Sequence, residues 1–475
     1  MNGLEAVELK LSEVLIENEN GRIDSEYFKR DLINFLNNLK NLEPLKNFVN
    51  NGYRVVYEST HIIDSDIGLR ENHPYFLQAT DLETPFINKD NLFYVDNADW
   101  IRYPMGRISK GELLIEVKGK AEKVSIVPID FPEKTLVSGS LYKLTVNDKI
   151  NKYYLLAYLI CKYGESFKNR YKSNLLISYI NKDDLYRIPI PIYSVELQRK
   201  IQEIFESCFE VNNNSKSLYA QAEQLLLDEL GLHNWKPTEA NTEVKSFKNS
   251  FLESGRLDAE FYQPKYDEIE DKIFNYSNGF DLISNHFKIN REEPDWKLNE
   301  YKYIEIGDVN VSNGVSAYNI LSKEELPANA KILLKKGDII ISKVRPYRGA
   351  VSIIDFDYPD LVGSGAFCIL QESSHLISKE CIAVLLRSSI YKELMMKFNV
   401  GSSYPVIKDE DILNLPIPLL PEEQQQEVAQ LIQQSFQLKK QSEQLLQTAK
   451  QAVEIAIEEG EEKAMLFIKK LSYGS

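Results

Sequence analysis

The stretch IEVKGK at 115–120 sets Glu116 and Lys118 two residues apart, the Glu-x-Lys spacing with which a nuclease can hold a metal and polarise a phosphate. A second copy of this segment, ISKVRPYRG at 341–349, has Ser342 at the Glu116 position. A nuclease centre would need the carboxylate, so the reading both copies allow is a strand with an alternating polar face, and lysines that can meet phosphate. Other catalytic constellations are missing from the sequence. It has no Gly-Lys-Ser/Thr phosphate loop and no Asp/Asn-Pro-Pro-Tyr/Phe run for methylating adenine. The 5 histidines, His61, His73, His233, His286 and His375, lack metal-ligand spacing. GSGAF at 363–367 reads as a turn between strands.

What remains is contact chemistry. In SKVRPYRG (342–349), Lys343, Arg345, Tyr347 and Arg348 lie close together, and Pro346 and Gly349 mark a loop leaving a strand. The matching loop carries Lys118, Lys120 and Lys123, with Arg102, Arg107 and Lys110 upstream. A second loop, FKNRYKSN (167–174), carries Lys168, Arg170 and Lys172; its counterpart KFNVGSSYP (397–405) carries Ser402, Ser403 and Tyr404. Lysine and arginine neutralise phosphates, and arginine can also fork onto base edges. The loops differ between copies while the surrounding framework matches, so the two modules would present different contact groups to a partner such as double-stranded DNA.

That framework is duplicated. GRIDSEYF (21–28) returns as GRLDAEFY (255–262), YFLQATDLE (75–83) as YIEIGDVN (303–310), and ISKGELLIEVKG (108–119) as LKKGDIIISKVR (334–345). LVSGSLYKL (136–144) returns as LVGSGAFCIL (361–370), and KDDLYRIPIPI (182–192) as DEDILNLPIPL (409–419). After the first pair the offsets stay at 226 or 227, so the chain reads as a tandem duplication with units of about 7–240 and 241–475. Each unit has strand-like runs such as ELLIEV and DIIISKV, helical stretches at 151–171 or 378–398, and then a Pro-x-Pro run, which fits neither a helix interior nor a central strand.

A long helix closes each unit. Ile201, Ile204, Cys208, Val211, Ser215, Leu218, Ala222 and Leu225 recur at spacings of three and four, as do Val428, Leu431, Ser435, Leu438, Ser442, Leu445, Ala449, Ala452 and Ala456. This is a heptad seam, and its small residues allow close approach. The spacer from Ile188 to Glu223 is 35 residues and that from Leu415 to Glu443 is 28, a one-heptad difference that keeps the seam on one face. A helix of about 35–40 residues is roughly 50–60 Å long.

The bulk numbers agree with a soluble multidomain chain. It has 475 residues, 43% hydrophobic and 27% charged, and a formal charge of −15 that argues against a chain basic all over. Cys161, Cys208, Cys368 and Cys381 are scattered in apolar surroundings, which fits buried thiols and a reducing compartment. The N-terminal stretch lacks a signal-peptide core and no run is long enough to span a membrane, so a cytoplasmic location is expected.

The repeated GR-hydrophobic-D motif, the KKGDIIIS strand entry, and above all IPIPIYSVELQRKIQEI and LPIPLLPEEQQQEVAQLI make the chain resemble the specificity (S) subunits of type I restriction–modification systems. The second copy fits that pattern well; the first departs from it, with YSVELQRK in place of LPEEQQQE. The resemblance implies an α+β fold: two tandem α/β target recognition domains separated by an antiparallel pair of long coiled-coil helices, with pseudo-twofold symmetry. It places recognition domains at 1–190 and 241–415 and conserved helices at 191–240 and 416–475. It also implies that each domain reads half of a split DNA target and that the chain has no catalytic centre. Two methyltransferase (M) subunits and restriction (R) subunits would be partners, and S-adenosylmethionine, ATP and Mg would serve those partners. The Gln/Glu-rich start of the second helix, Glu422 to Glu427, is a candidate partner surface. The competing reading is a duplicated scaffold of a related defence complex that does not read sequence.

Overall fold

The computed structural model describes residues 9–15, 18, 21–24, 27–39, 41–55, 60, 62–63, 73–89, 92–173, 178–240, 242–400 and 404–472. They form two compact units, Met1–Glu210 with Gln441–Ser475, and Val211–Lys440.

In the first unit an antiparallel sheet runs in the order Val49–Arg54, Leu141–Val146, Leu113–Glu116, Val124–Ile126. A mixed sheet sets Thr135–Val137 parallel to Tyr75–Leu77, followed by Phe93–Val95 and Ile62–Ile63. The second unit repeats the antiparallel order and keeps the parallel pair of the mixed sheet, but moves that pair from the edge to the centre. Its antiparallel sheet is Phe287–Ile289, Phe367–Glu372, Ile339–Ser342, Val351–Ile353. Its mixed sheet is Asn319–Ser322, Glu300–Ile304, Leu361–Ser364, Ala330–Leu333, with the middle two strands parallel.

The unbroken apolar run LLIE has a direct cause. Strand side chains alternate between faces, and both faces of this strand are covered. Leu113 and Ile115 enter a core shared with helices, while Leu114 enters the core beneath the mixed sheet. Ile339 and Ile341 divide from Ile340 in the same way in the second unit. Local turns repeat too. Asp81 and Asp308 close matching capping boxes, accepting from the Gln78 N–H at 2.7 Å and the Glu305 N–H at 2.8 Å.

The helical stretches expected at 151–171 and 378–398 are each two helices, Lys152–Ile160 with Lys162–Tyr171, and Lys379–Arg387 with Ser389–Met396. Cys161 and Ser388 sit in extended conformations between them and break the ladder. The Pro-x-Pro runs are short strands, Pro189–Pro191 paired with Leu42–Pro44 and Pro416–Pro418 paired with Phe280–Leu282. Each is in a two-stranded sheet, where missing N–H donors are tolerated. Buried tyrosine hydroxyls satisfy proline carbonyls: Tyr154 donates to Pro191 O at 2.6 Å, and Tyr391 to Pro416 O at 2.8 Å.

The long helices are Val195–Glu229 and Glu422–Glu459. Within the first unit they run antiparallel, with Ser442 Oγ donating to Cys208 O at 3.0 Å. Within the second, Ser215 and Ser435 exchange hydroxyl-to-carbonyl bonds at 2.8 Å each. Such bonds require close backbone approach, which the small seam residues permit. The seam is nevertheless rotated from the expected one. Ile201, Cys208, Ser215 and Ala222 are buried, but Ile204, Val211, Leu218 and Leu225 are only half-buried. Phe205, Asn212, Tyr219 and Leu226 are buried instead. The first helix packs against other side chains as well as its partner helix: within the first unit Phe205 stacks on Tyr153 at 5.9 Å, and within the second Tyr219 lies under Arg387 at 4.7 Å. That second contact favours a wider face of period 3.6 over a strict heptad line. No described helix is long and apolar enough to cross a membrane.

Candidate nucleic-acid interface

In the second unit the chain leaves strand Ile339–Ser342 and meets the segment that follows helix Ser389–Met396. Val344 bridges to Val406, the Arg345 N–H donates to Pro405 O at 2.8 Å, and the Ile407 N–H donates to Lys343 O at 3.0 Å. The two loops singled out in the sequence therefore form one surface. Arg345 has φ +52°, a left-handed conformation that a residue with Cβ adopts at a cost of about 1–3 kcal/mol. Its guanidinium lies over the Tyr404 ring, 4.7 Å from the centroid. Tyr347 and Tyr404 are 45% and 57% exposed, and Arg348 is exposed beside them. Lys343 is held by Asp409 at 2.9 Å.

The first unit builds the same frame. Lys118 bridges to Tyr179, the Gly119 N–H donates to Ser178 O at 2.9 Å, and the Ile180 N–H donates to Val117 O at 2.8 Å. Gly119, with φ +96°, stands where the second unit has Arg345. Lys118 and Lys120 are exposed. Lys172 Nζ donates to Lys120 O at 2.5 Å and so ties the two loops, while Lys123 Nζ donates to Ala79 O at 3.1 Å. Upstream, Arg107 is turned onto Trp100 at 4.4 Å.

Two sequence expectations need correction. Lys168 and Arg170 are 1% and 6% exposed, so neither side chain presents itself to DNA. Both lie in helix Lys162–Tyr171, and each is covered by a different neighbour. Lys168 donates to Glu122 O at 2.5 Å, and burial pulls its pKa down to about 8. Arg170 lies on the Tyr27 ring at 4.3 Å. Ser402 and Ser403 lie outside the described residues. Glu116, the would-be metal ligand, is almost buried, and its Oε2 accepts the N–H groups of Glu122 at 3.1 Å and Lys123 at 3.3 Å. It stitches the loop. Among the described residues no three His, Cys, Asp or Glu side chains gather as metal ligands. In the candidate partner surface, Gln425 is turned inward, accepting from Ser378 N–H at 2.8 Å and donating to Leu376 O at 2.9 Å. Glu422, Glu423, Gln426 and Glu427 remain exposed.

The repeated GR-hydrophobic-D motif holds these loops from behind. Arg22 pairs with Asp24 through two bonds of 2.8 and 2.9 Å and donates to Arg170 O at 2.6 Å and Lys172 O at 2.9 Å. Arg256 pairs with Asp258 at 2.8 and 2.5 Å and donates to Asn399 O at 2.9 Å. These carbonyls end a helix and begin the loop that follows it, where a cation is favoured. The arginine beside each aspartate holds its carboxyl below the usual range. The motif aromatic supports the same place: Tyr27 lies under Arg170, and Phe261 under Lys397 at 5.3 Å. Within each unit the motif is thus a clamp on that unit's own loop. Sequence reasoning missed this target because Arg22 and Lys172 O are 150 positions apart; the one hint was that both copies keep Arg-x-Asp.

Comparison with known proteins gives a consistent set. Residues 279–450 match the family model described as the type I restriction modification DNA specificity domain. The specificity subunit of the type I restriction enzyme MjaVIII from Methanocaldococcus jannaschii is 25% identical over 335 residues, 68% of this chain and 73% of that one. The HindI specificity subunit of Haemophilus influenzae is 28% identical over 132 residues, 27% of this chain and 28% of that one. A crystal structure of a type I restriction–modification system S subunit from M. genitalium aligns over 92% of this chain and 96% of that one, at 12% identity and a TM-score of 0.37.

Proposed function

This chain belongs to the specificity-subunit family of type I restriction–modification systems, and we propose that it selects the DNA sequence on which such a complex acts. Each repeat reads one half of a bipartite target. One observation carries this reading: both units hold a pair of loops in the same backbone hydrogen-bond frame but present different side chains there. A shared frame with divergent tips suits two half-sites of different sequence, whereas a scaffold that ignores sequence would not need divergent tips.

The chain is read as non-catalytic, with Glu116 engaged in its own loop. Adenine methylation from S-adenosylmethionine, and cleavage requiring ATP and Mg, would lie on two methyltransferase subunits and on restriction subunits recruited through the long helices. The exposed acidic and amide groups at the start of Glu422–Glu459 are candidate contacts. A chain of charge −15 also meets DNA more readily if partners supply positive charge. Sequencing the methylome before and after deletion of the gene tests the proposal. The expected result is loss of one split adenine-methylated motif, restored by complementation; an unchanged methylome would refute it.

A further inference from the structure

We infer that Arg345 reads a guanine in the half-site met by the second unit. The inference rests on the proposed DNA-reading role and deepens it to one base. At equivalent points of the two frames, the first unit has Gly119, φ +96°, and the second has Arg345, φ +52°. Glycine is the residue this backbone prefers, so an arginine here works against the local conformation. Among the described residues the Arg345 guanidinium has no carboxylate partner; the nearby Asp409 is taken by Lys343 at 2.9 Å. Its guanidinium instead lies over the face of Tyr404. Stacking on an aromatic face holds the planar fork in a fixed orientation. Exposed Tyr347 and Tyr404 flank it. Guanine offers two acceptors, O6 and N7, on one major-groove edge, which match two N–H donors of a fixed arginine. A phosphate contact needs only a mobile charge, and exposed Arg348 provides that without such a backbone.

The test uses the assembled complex with its methyltransferase subunits and a plasmid library randomised at each motif position. Arg345→Gly installs the residue the first unit uses and relieves the backbone, so it keeps the fold. Arg345→Lys keeps the charge and loses the fork. With both variants, discrimination at one G:C pair in one half-site should fall by roughly 5- to 150-fold, the other half-site being unchanged. Equal weakening at all sequences with an unaltered motif would indicate a phosphate contact and overturn the inference. So would full specificity in the lysine variant, or an unchanged motif in the glycine variant. If the wild-type complex yields no split motif, it is the proposed function that fails.

Discussion

Replacing Lys168 by methionine should make the first unit more stable, although it removes a hydrogen bond. The ammonium is 1% exposed, and desolvation is the largest cause lowering its pKa from 10.5 to about 8, against partial support from Glu165, Glu116 and Glu122. Keeping the buried ammonium charged at neutral pH therefore costs roughly 3 kcal/mol. The bond to Glu122 O returns about 1 kcal/mol, so Lys168→Met should gain about 2 kcal/mol at pH 7. Unfolded lysine keeps its proton to about pH 10.5, while the folded group releases it near pH 8. Between those values the unfolded chain binds more protons, so wild-type stability rises with pH and the advantage of methionine shrinks. Calorimetry of the full chain should show the first unit's transition raised by about 4–8 °C at pH 7, with the gap narrowed by pH 10. The methylated motif of the complex should be unaltered. A variant less stable than wild type at pH 7, or a shift equal at both pH values, would refute the reasoning.

Three further outcomes follow from the geometry. Arg256→Ala removes the bond to Asn399 O and the pair with Asp258; it should lower local stability by about 1–2 kcal/mol and speed amide exchange at 398–407 while Arg22-dependent protection at 170–173 is kept. Ser435→Leu overfills a seam where two hydroxyls reach carbonyls at 2.8 Å; it should cost about 1–3 kcal/mol, read as a lower midpoint for the second unit's unfolding. Arg348→Ala should weaken binding of the complex to DNA of any sequence and reduce the slope of log affinity against log salt by about 1, leaving the motif intact.

Much of this architecture was legible because it was written twice. The constant offset aligned Asp81 with Asp308, and both residues close the same turn. It also aligned the two loops whose frames match bond for bond. Periodicity located the long helices and the buried a-positions, but not the second buried row. Phe205 and Tyr219 are drawn inward by Tyr153 and Arg387, distant partners that no local pattern encodes. The sequence also marked Lys168 and Arg170 as basic, and a loop's charge says nothing of the direction a helix points it. Burial of a lysine is set by the neighbouring sheet loop at Glu122, 46 positions away. The role of Arg22 and Arg256 was hidden for the same reason, since their acceptors are main-chain carbonyls, which any residue supplies.

The central claim is that two repeats read two separate half-sites. It is tested most directly by recovering, from a pool of random duplexes, those that the assembled complex binds at physiological salt. The account expects two short conserved blocks of different sequence separated by unselected bases, with Arg345→Gly altering one block alone. A single continuous motif, or recovered duplexes with no common sequence, would contradict it.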